Sequence, residues 1–224
     1  MKTRLITLIT LVLLSTLAFS QEEFNGVITY KITYSGENIN EQIISILPDQ
    51  MTLKVKGQKT KTILLTPMGD QVSITNLKKN SVVNLLDMMG RKFAIQLTDK
   101  ELENEISRYA DLNAIPMNET KELHGIECIR IDISVNHANF DGPARFTTYS
   151  TEKFENLKGI NFADPVFHDI PGLLMEFETI ARGIGMHFQV ISMEETKLND
   201  SEFKIPKDYE ITTKEEMKKS LGGR

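Results

Sequence analysis

The sequence predicts a mainly β protein of the α+β class, built on an antiparallel sheet with one well-defined helix. Apolar side chains recur at every second residue over several segments, and turn residues separate these segments at short intervals. The run Thr98-Asp99-Lys100-Glu101 is a capping box, and apolar residues follow it at helical spacing. Short connections leave no room for crossover helices, so we expect hairpins.

The alternation is clearest in the N-terminal half. Between residues 28 and 34, isoleucine and tyrosine alternate with threonine and lysine. Met51, Leu53 and Val55 repeat this pattern, which is typical of an antiparallel sheet with one solvated face. Further strands are predicted at residues 59–66, 71–76, 81–86 and 92–97.

The helix is predicted over residues 98–110, with an apolar stripe that the sheet would bury. Strands are then expected at residues 128–135, 144–150, 173–180 and 186–194. Between them, residues 156–171 form a long apolar loop, and loops of this length are often functional. We predict one β-rich domain over residues 21–211 and a charged tail, helical or frayed, over residues 212–224.

Residues 1–20 have the pattern of a secretory signal peptide. Lys2 and Arg4 precede an apolar stretch of about 13 residues, too short to span a bilayer, and small residues then precede Gln21. We therefore expect export to the periplasm or the extracellular space. No other stretch predicts a transmembrane anchor, and no cysteine at the cleavage point offers a site for a lipid anchor.

The formal charge of the 224-residue chain is −5, and removal of Lys2 and Arg4 brings it to −7. Because an acidic protein repels phosphate backbones, we expect no nucleic-acid partner. Cys128 is the single cysteine, so an intramolecular disulfide is excluded. Stability must therefore come from ordinary burial.

Three short segments resemble a known family. They are residues 84–95, residues 121–128 and the run Phe203-Lys204-Ile205-Pro206-Lys207-Asp208-Tyr209. Together they are similar to exported proteins of Bacteroidetes that are built on the 4412-type domain of unknown function. The resemblance implies a fold like that of periplasmic lipoprotein carriers, a strongly curved antiparallel sheet wrapped around one or two helices. It implies no activity.

The residues that could carry chemistry form no catalytic signature. Cys128 would need a base, but on an extended strand His124 would lie about 13 Å away, so we interpret Cys128 as a buried, inert thiol. Asp164, His168 and Asp169 could bind a metal if their loop folded back, but local turns are the simpler interpretation. We therefore predict no enzyme activity, no cofactor and no metal site.

The leading hypothesis is a binding module that holds a lipid or other hydrophobic molecule in an apolar cavity. Phe162, Phe167 and Ile170 are the predicted lid, and Leu102 and Ile106 the predicted cavity wall. The same residues could instead close a dry core. The alternative is a structural or interaction protein of the cell envelope, with a protein partner and no small ligand.

Overall fold

The computed structural model describes residues 22–36, 39–66, 69–88, 90–109, 111–137, 142–181 and 183–220, so the expected signal peptide lies outside the described residues. This part of the chain forms twelve strands: β1 (Gly26–Ser35), β2 (Gln50–Lys56), β3 (Lys59–Leu64), β4 (Gln71–Asn76), β5 (Ser81–Met88), β6 (Arg91–Gln96), β7 (Asn113–Leu123), β8 (Ile126–His137), β9 (Gly142–Thr151), β10 (Leu173–Ala181), β11 (Ile184–Glu195) and β12 (Glu210–Thr212). Its α-helices are α1 (Glu41–Ile44), α2 (Asp99–Ser107) and α3 (Lys214–Ser220). None of these helices is long and apolar enough to span a membrane.

All twelve strands belong to one sheet, in the order β12-β6-β5-β4-β3-β2-β1-β11-β10-β9-β8-β7. Two meanders, β1–β6 and β7–β11, join through the antiparallel pairing of β1 with β11. The predicted mainly β class is thus confirmed. The prediction of a wholly antiparallel sheet is wrong at β12, which runs parallel to β6. After β11 the chain crosses the sheet, so that β12 starts at the same end of the sheet as β6 and runs in the same direction.

The sheet is bent. Val82 of β5 and Leu174 of β10 line the same cavity, although five strands separate β5 from β10 in the sheet order. In a flat sheet these two strands would lie about 29 Å apart, at roughly 4.8 Å per strand. The sheet therefore curves around a concave face. Its two edge strands, β12 and β7, do not pair with each other in the described chain.

An irregular segment, residues 154–172, which we call the interior segment, packs on part of the concave face. Leu157 lies in its short 3-10 turn and is fully buried in a cluster with Ile28 and Val55 of the sheet. Phe167 is buried in a second cluster with Ile133. In the described residues, no side chain of α2 belongs to either cluster. In these two clusters the sheet is therefore covered by the interior segment and not by the predicted helix.

Helix α2 links the two halves of the sheet, because it follows β6 and precedes the opposite edge strand, β7. The predicted capping box is present: the Glu101 amide donates to Thr98 Oγ1 at 3.2 Å, and the Thr98 amide donates to the Glu101 carboxylate at 2.8 Å. The helix ends at Ser107, earlier than predicted. Beyond it, Tyr109 packs against the second cluster.

The C-terminal segment, residues 198–209, covers the convex face of β2–β6. Leu198 and Phe203 are buried against Leu85 of β5. Glu202 forms an ion pair with Lys54 at 2.5 Å, on the face of β2 opposite the concave side. The C-terminal segment therefore covers the convex face of this half of the sheet, and the concave face carries the polar side chains described below.

One buried hydroxyl predicts a stabilising substitution. Thr148 on β9 is fully buried, and its Oγ1 has no hydrogen-bond partner among the described residues. Because an unpaired buried hydroxyl is costly, Thr148→Val is expected to raise the free energy of unfolding by about 1 kcal/mol. Urea denaturation measures the change. Thr148→Ser, which keeps the hydroxyl and loses the methyl group, is the destabilising control, and a Val variant less stable than the wild type would contradict the assignment.

Candidate functional site

A groove runs along the concave face of β3, β4 and β5, beside the interior segment. It consists of two cavities of about 310 and 380 Å³. Thr62, Ser73 and Asn84 line both cavities, so the two are adjacent, and together we call them the concave groove. Spaces of this size fall within the range of small-molecule binding sites.

The wall that the sheet contributes is polar. It consists of Thr60, Thr62, Ser73, Thr75 and Asn84. Within the described chain, none of these side chains makes a hydrogen bond to another protein group. Thr60 is 3% exposed as a residue, but its hydroxyl is not fully buried, so it is accessible from the groove. We call this surface the polar wall.

Strand pairing explains why these side chains align. Thr62 lies opposite Ser73, and Ser73 lies opposite Asn84, so they form one row across three strands. Successive side chains of a strand point to opposite faces, so the lysines of β3 point away from the groove. Lys59 accordingly pairs with Asp200 of the convex-face segment at 3.2 Å.

The wall opposite is apolar and aromatic. Phe177 of β10 stacks on Phe188, with ring centroids 4.6 Å apart. It makes edge contacts with Phe167 at 5.3 Å and with Tyr30 at 6.0 Å. The Tyr30 hydroxyl donates to the Leu174 carbonyl at 2.9 Å, and burial raises the pKa of Tyr30 well above its usual range. This packed, neutral surface is the aromatic wall.

Hydrogen bonds hold the interior segment in place beside the groove. The Asn161 amide donates to the carbonyls of Ile170 and Gly172, at 2.8 and 2.9 Å. Gly172 has a φ of 73°, and a Cβ there would lie 2.1 Å from the Thr151 carbonyl oxygen, so only glycine fits. These contacts fix the path of the chain from the groove into β10.

Asp164 is the acidic group of the groove. Its Oδ1 accepts hydrogen bonds from the amides of Val166 and Phe167, at 2.8 and 3.1 Å. The side chain is exposed to the groove, yet protein atoms surround the recess in which it lies. This desolvation raises the pKa of the Asp164 carboxyl, and the two amide bonds oppose the rise.

The five predicted ligand-binding residues are placed as follows. Phe167 lines the groove, and Ile170 is buried with it in the second cluster. Phe162 is half-buried in the same segment. Leu102 is buried on α2 and Ile106 is half-buried. In the described lining, Phe167 is the member of the set that reaches the groove, so the roles given to the other four stay predictions.

Cys128 and its neighbours form no reactive pair in the described chain. The thiol is fully buried, lies 3.4 Å from the Ile126 carbonyl oxygen, and has its pKa raised by burial to about 11. His124 Nε2 lies instead 2.9 Å from the Val190 carbonyl oxygen. His168 contacts Asp169 at 3.2 Å, and the described residues contain no cluster of three or more potential metal ligands. The groove is therefore the candidate site.

Comparison with models of protein families and with curated proteins gave no match to this chain. The resemblance to the exported family with the 4412-type domain thus stays a prediction drawn from short segments. What the fold itself defines is a mainly β protein with one bent, open sheet and a two-walled groove on its concave face. Its function has to be argued from that groove.

Proposed function

We propose that this protein is an exported, non-catalytic binding module that holds a lipid or other hydrophobic envelope component in the concave groove. One observation carries the proposal: an aromatic wall faces a polar wall whose side chains have no partner in the described protein. A ligand with an apolar part and a polar part matches both walls. Likeness to lipoprotein carriers implies a strongly curved sheet wrapped around one or two helices, and the bend of this sheet agrees with the first part of that expectation.

The aromatic wall supplies the affinity in this proposal. Each methylene group moved from water into an apolar site gains about 0.8 kcal/mol, so six would gain about 5 kcal/mol before the cost of association. Met51 also lines the groove, and its flexible thioether can adapt to ligands of different shape. A groove of this size accepts part of an acyl chain or a small amphiphile.

A blocking variant tests the proposal. Ser73 lies in both cavities, so Ser73→Trp is expected to fill the groove and weaken binding of a fluorescent acyl probe by about tenfold or more. Ser192→Trp is the matched control, because Ser192 is an exposed strand residue outside the groove lining. Its affinity should equal that of the wild type, and native mass spectrometry of wild-type protein from its host should show a bound lipid.

Two results would overturn the proposal. The first is equal binding by both tryptophan variants, since binding would then occur elsewhere. The second is a wild-type protein that carries no lipid and binds no acyl probe.

An envelope interaction protein without a small ligand is the second candidate. The observation in its favour is the edge strand β7, which exposes Ile115 (49%) and Met117 (40%) next to a bulge. An unpaired edge can accept an extended strand from another envelope protein. Crosslinking in intact envelopes separates the candidates, because an interaction protein should give one protein adduct at β7, unaffected by Ser73→Trp.

A further inference from the structure

We infer that the ligand of the concave groove is an uncharged amphiphile whose polar part carries hydroxyl or amide groups, rather than a fatty acid or a phosphorylated lipid. This inference rests on the proposed function and narrows its ligand class. Three features of the groove support it: the row of polar side chains, the unpaired hydroxyl of Thr60, and the signs of the charges around the groove.

The row of polar side chains offers several neutral hydrogen-bonding groups at once. Thr62, Ser73 and Asn84 stand side by side on three adjacent strands, which spans about 10 Å at strand spacing. A hydroxyl group both donates and accepts, and the Asn84 amide offers one oxygen and one NH₂ group. The row therefore suits a head group with several hydroxyls or amides, such as a glycerol or a sugar.

Thr60 adds another hydroxyl without a partner. The residue is 3% exposed, lines the groove, and makes no hydrogen bond within the described chain, and its hydroxyl is not fully buried, so a ligand in the groove can reach it. It lies opposite Thr75, whose side chain also lines the groove. A ligand hydroxyl placed between these two threonines would satisfy both, whereas a bare acyl chain would bury them without partners.

The charges around the groove exclude an anionic head group. Neither cavity has a lysine, arginine or histidine in its described lining, and the ionisable lining residues are Tyr30 and Asp164. Lys59 and Lys61 lie on the same strand as Thr60 but on the opposite face. A carboxylate or phosphate in the groove would therefore lose its hydration, gain no cation, and approach an acidic side chain.

The test compares two probes that share one acyl chain, monolauroylglycerol and laurate, on the full mature protein. Wild-type protein is expected to bind the glycerol ester about tenfold more tightly than the carboxylate. The double variant Thr62→Val/Ser73→Ala removes two hydroxyls with little change of volume. Its affinity for the glycerol ester should fall about tenfold, and its affinity for laurate should stay unchanged.

Two further variants complete the design. Thr33→Val removes an exposed hydroxyl from β1 outside the groove and should leave both affinities unchanged. Asp164→Asn removes the acidic charge from the groove and should tighten laurate binding. Laurate binding as tight as or tighter than the ester, or a double variant that binds the ester normally, would overturn the inference while leaving the proposed function intact. Failure of both probes to bind would overturn the two together.

Discussion

Replacing Leu157 by alanine is expected to lower the free energy of unfolding by about 3 kcal/mol. Leu157 is 0% exposed and packs in the cluster that joins the interior segment to the middle of the sheet. Its truncation removes apolar contacts and leaves a cavity that the surrounding strands cannot fill without moving. Urea denaturation followed by far-ultraviolet circular dichroism measures the loss.

Leu65→Ala is the matched control for Leu157→Ala. Leu65 is 63% exposed, so its truncation should change the free energy of unfolding by no more than about 0.5 kcal/mol. A loss from Leu157→Ala as small as that of the control would show that the interior segment is not anchored at the concave face. The aromatic wall that this segment helps to build would then lack its support.

Replacing Asn156 by alanine is expected to cost about 3 kcal/mol as well, for a different reason. The buried Asn156 side chain accepts from the Phe24 amide at 3.0 Å and donates to the carbonyls of Phe24 and Gly57, both at 2.8 Å. One side chain thus joins the residues before β1, the turn between β2 and β3, and the interior segment. Alanine would leave all three backbone groups without this partner.

Asn156→Asp separates hydrogen bonding from packing. Aspartate has the size of asparagine and keeps an acceptor for the Phe24 amide, but it cannot donate to the two carbonyls when ionised. It also places a charge at a site that is 4% exposed. The Asp variant should therefore be at least as unstable as Asn156→Ala in urea denaturation at pH 7. An Asp variant as stable as the wild type would contradict the role given to the donated bonds.

Strands with one buried face could be predicted from the sequence, and strands without one could not. The alternation in residues 51–56 and 71–76 gave β2 and β4 within one residue of their observed bounds. In contrast, β7 is exposed along nearly all of its length, so it carries no hydrophobic period, and it contains Pro116, which is uncommon within strands. Pro116 is tolerated because β7 is an edge strand with a bulge there.

Short elements could not be predicted, because the sequence patterns that indicate them span only a few residues. Helix α1 has four residues, and its Asn40 cap, which accepts from the Ile43 amide at 2.9 Å, resembles an ordinary turn. Strand β12 has three residues and depends on its partner β6, far away in sequence. The helix α2 was found because its capping box is a local pattern of defined spacing.

The candidate site was predictable on one wall only. The apolar loop of residues 156–171 stood out by its length and composition, and its Phe167 does line the groove. The polar wall gave no signal, because Lys and Thr alternate in β3 and both residue types are compatible with solvent. The C-terminal segment decides whether the threonines or the lysines point to the concave side. Its Asp200 and Glu202 pair with lysines of β3 and β2, which places those lysines on the convex face.

Photolabelling tests the central claim most directly, because it maps where an amphiphile lies. A monoacylglycerol with a diazirine in its acyl chain would be bound to the mature protein, irradiated, and located by peptide mass spectrometry. We expect adducts at Tyr30 or within residues 51–53, 60–64, 71–75, 82–86, 95–97 and 160–177, which contain the lining of the concave groove. Adducts confined to β7 or to residues 198–209 on the convex face would contradict it.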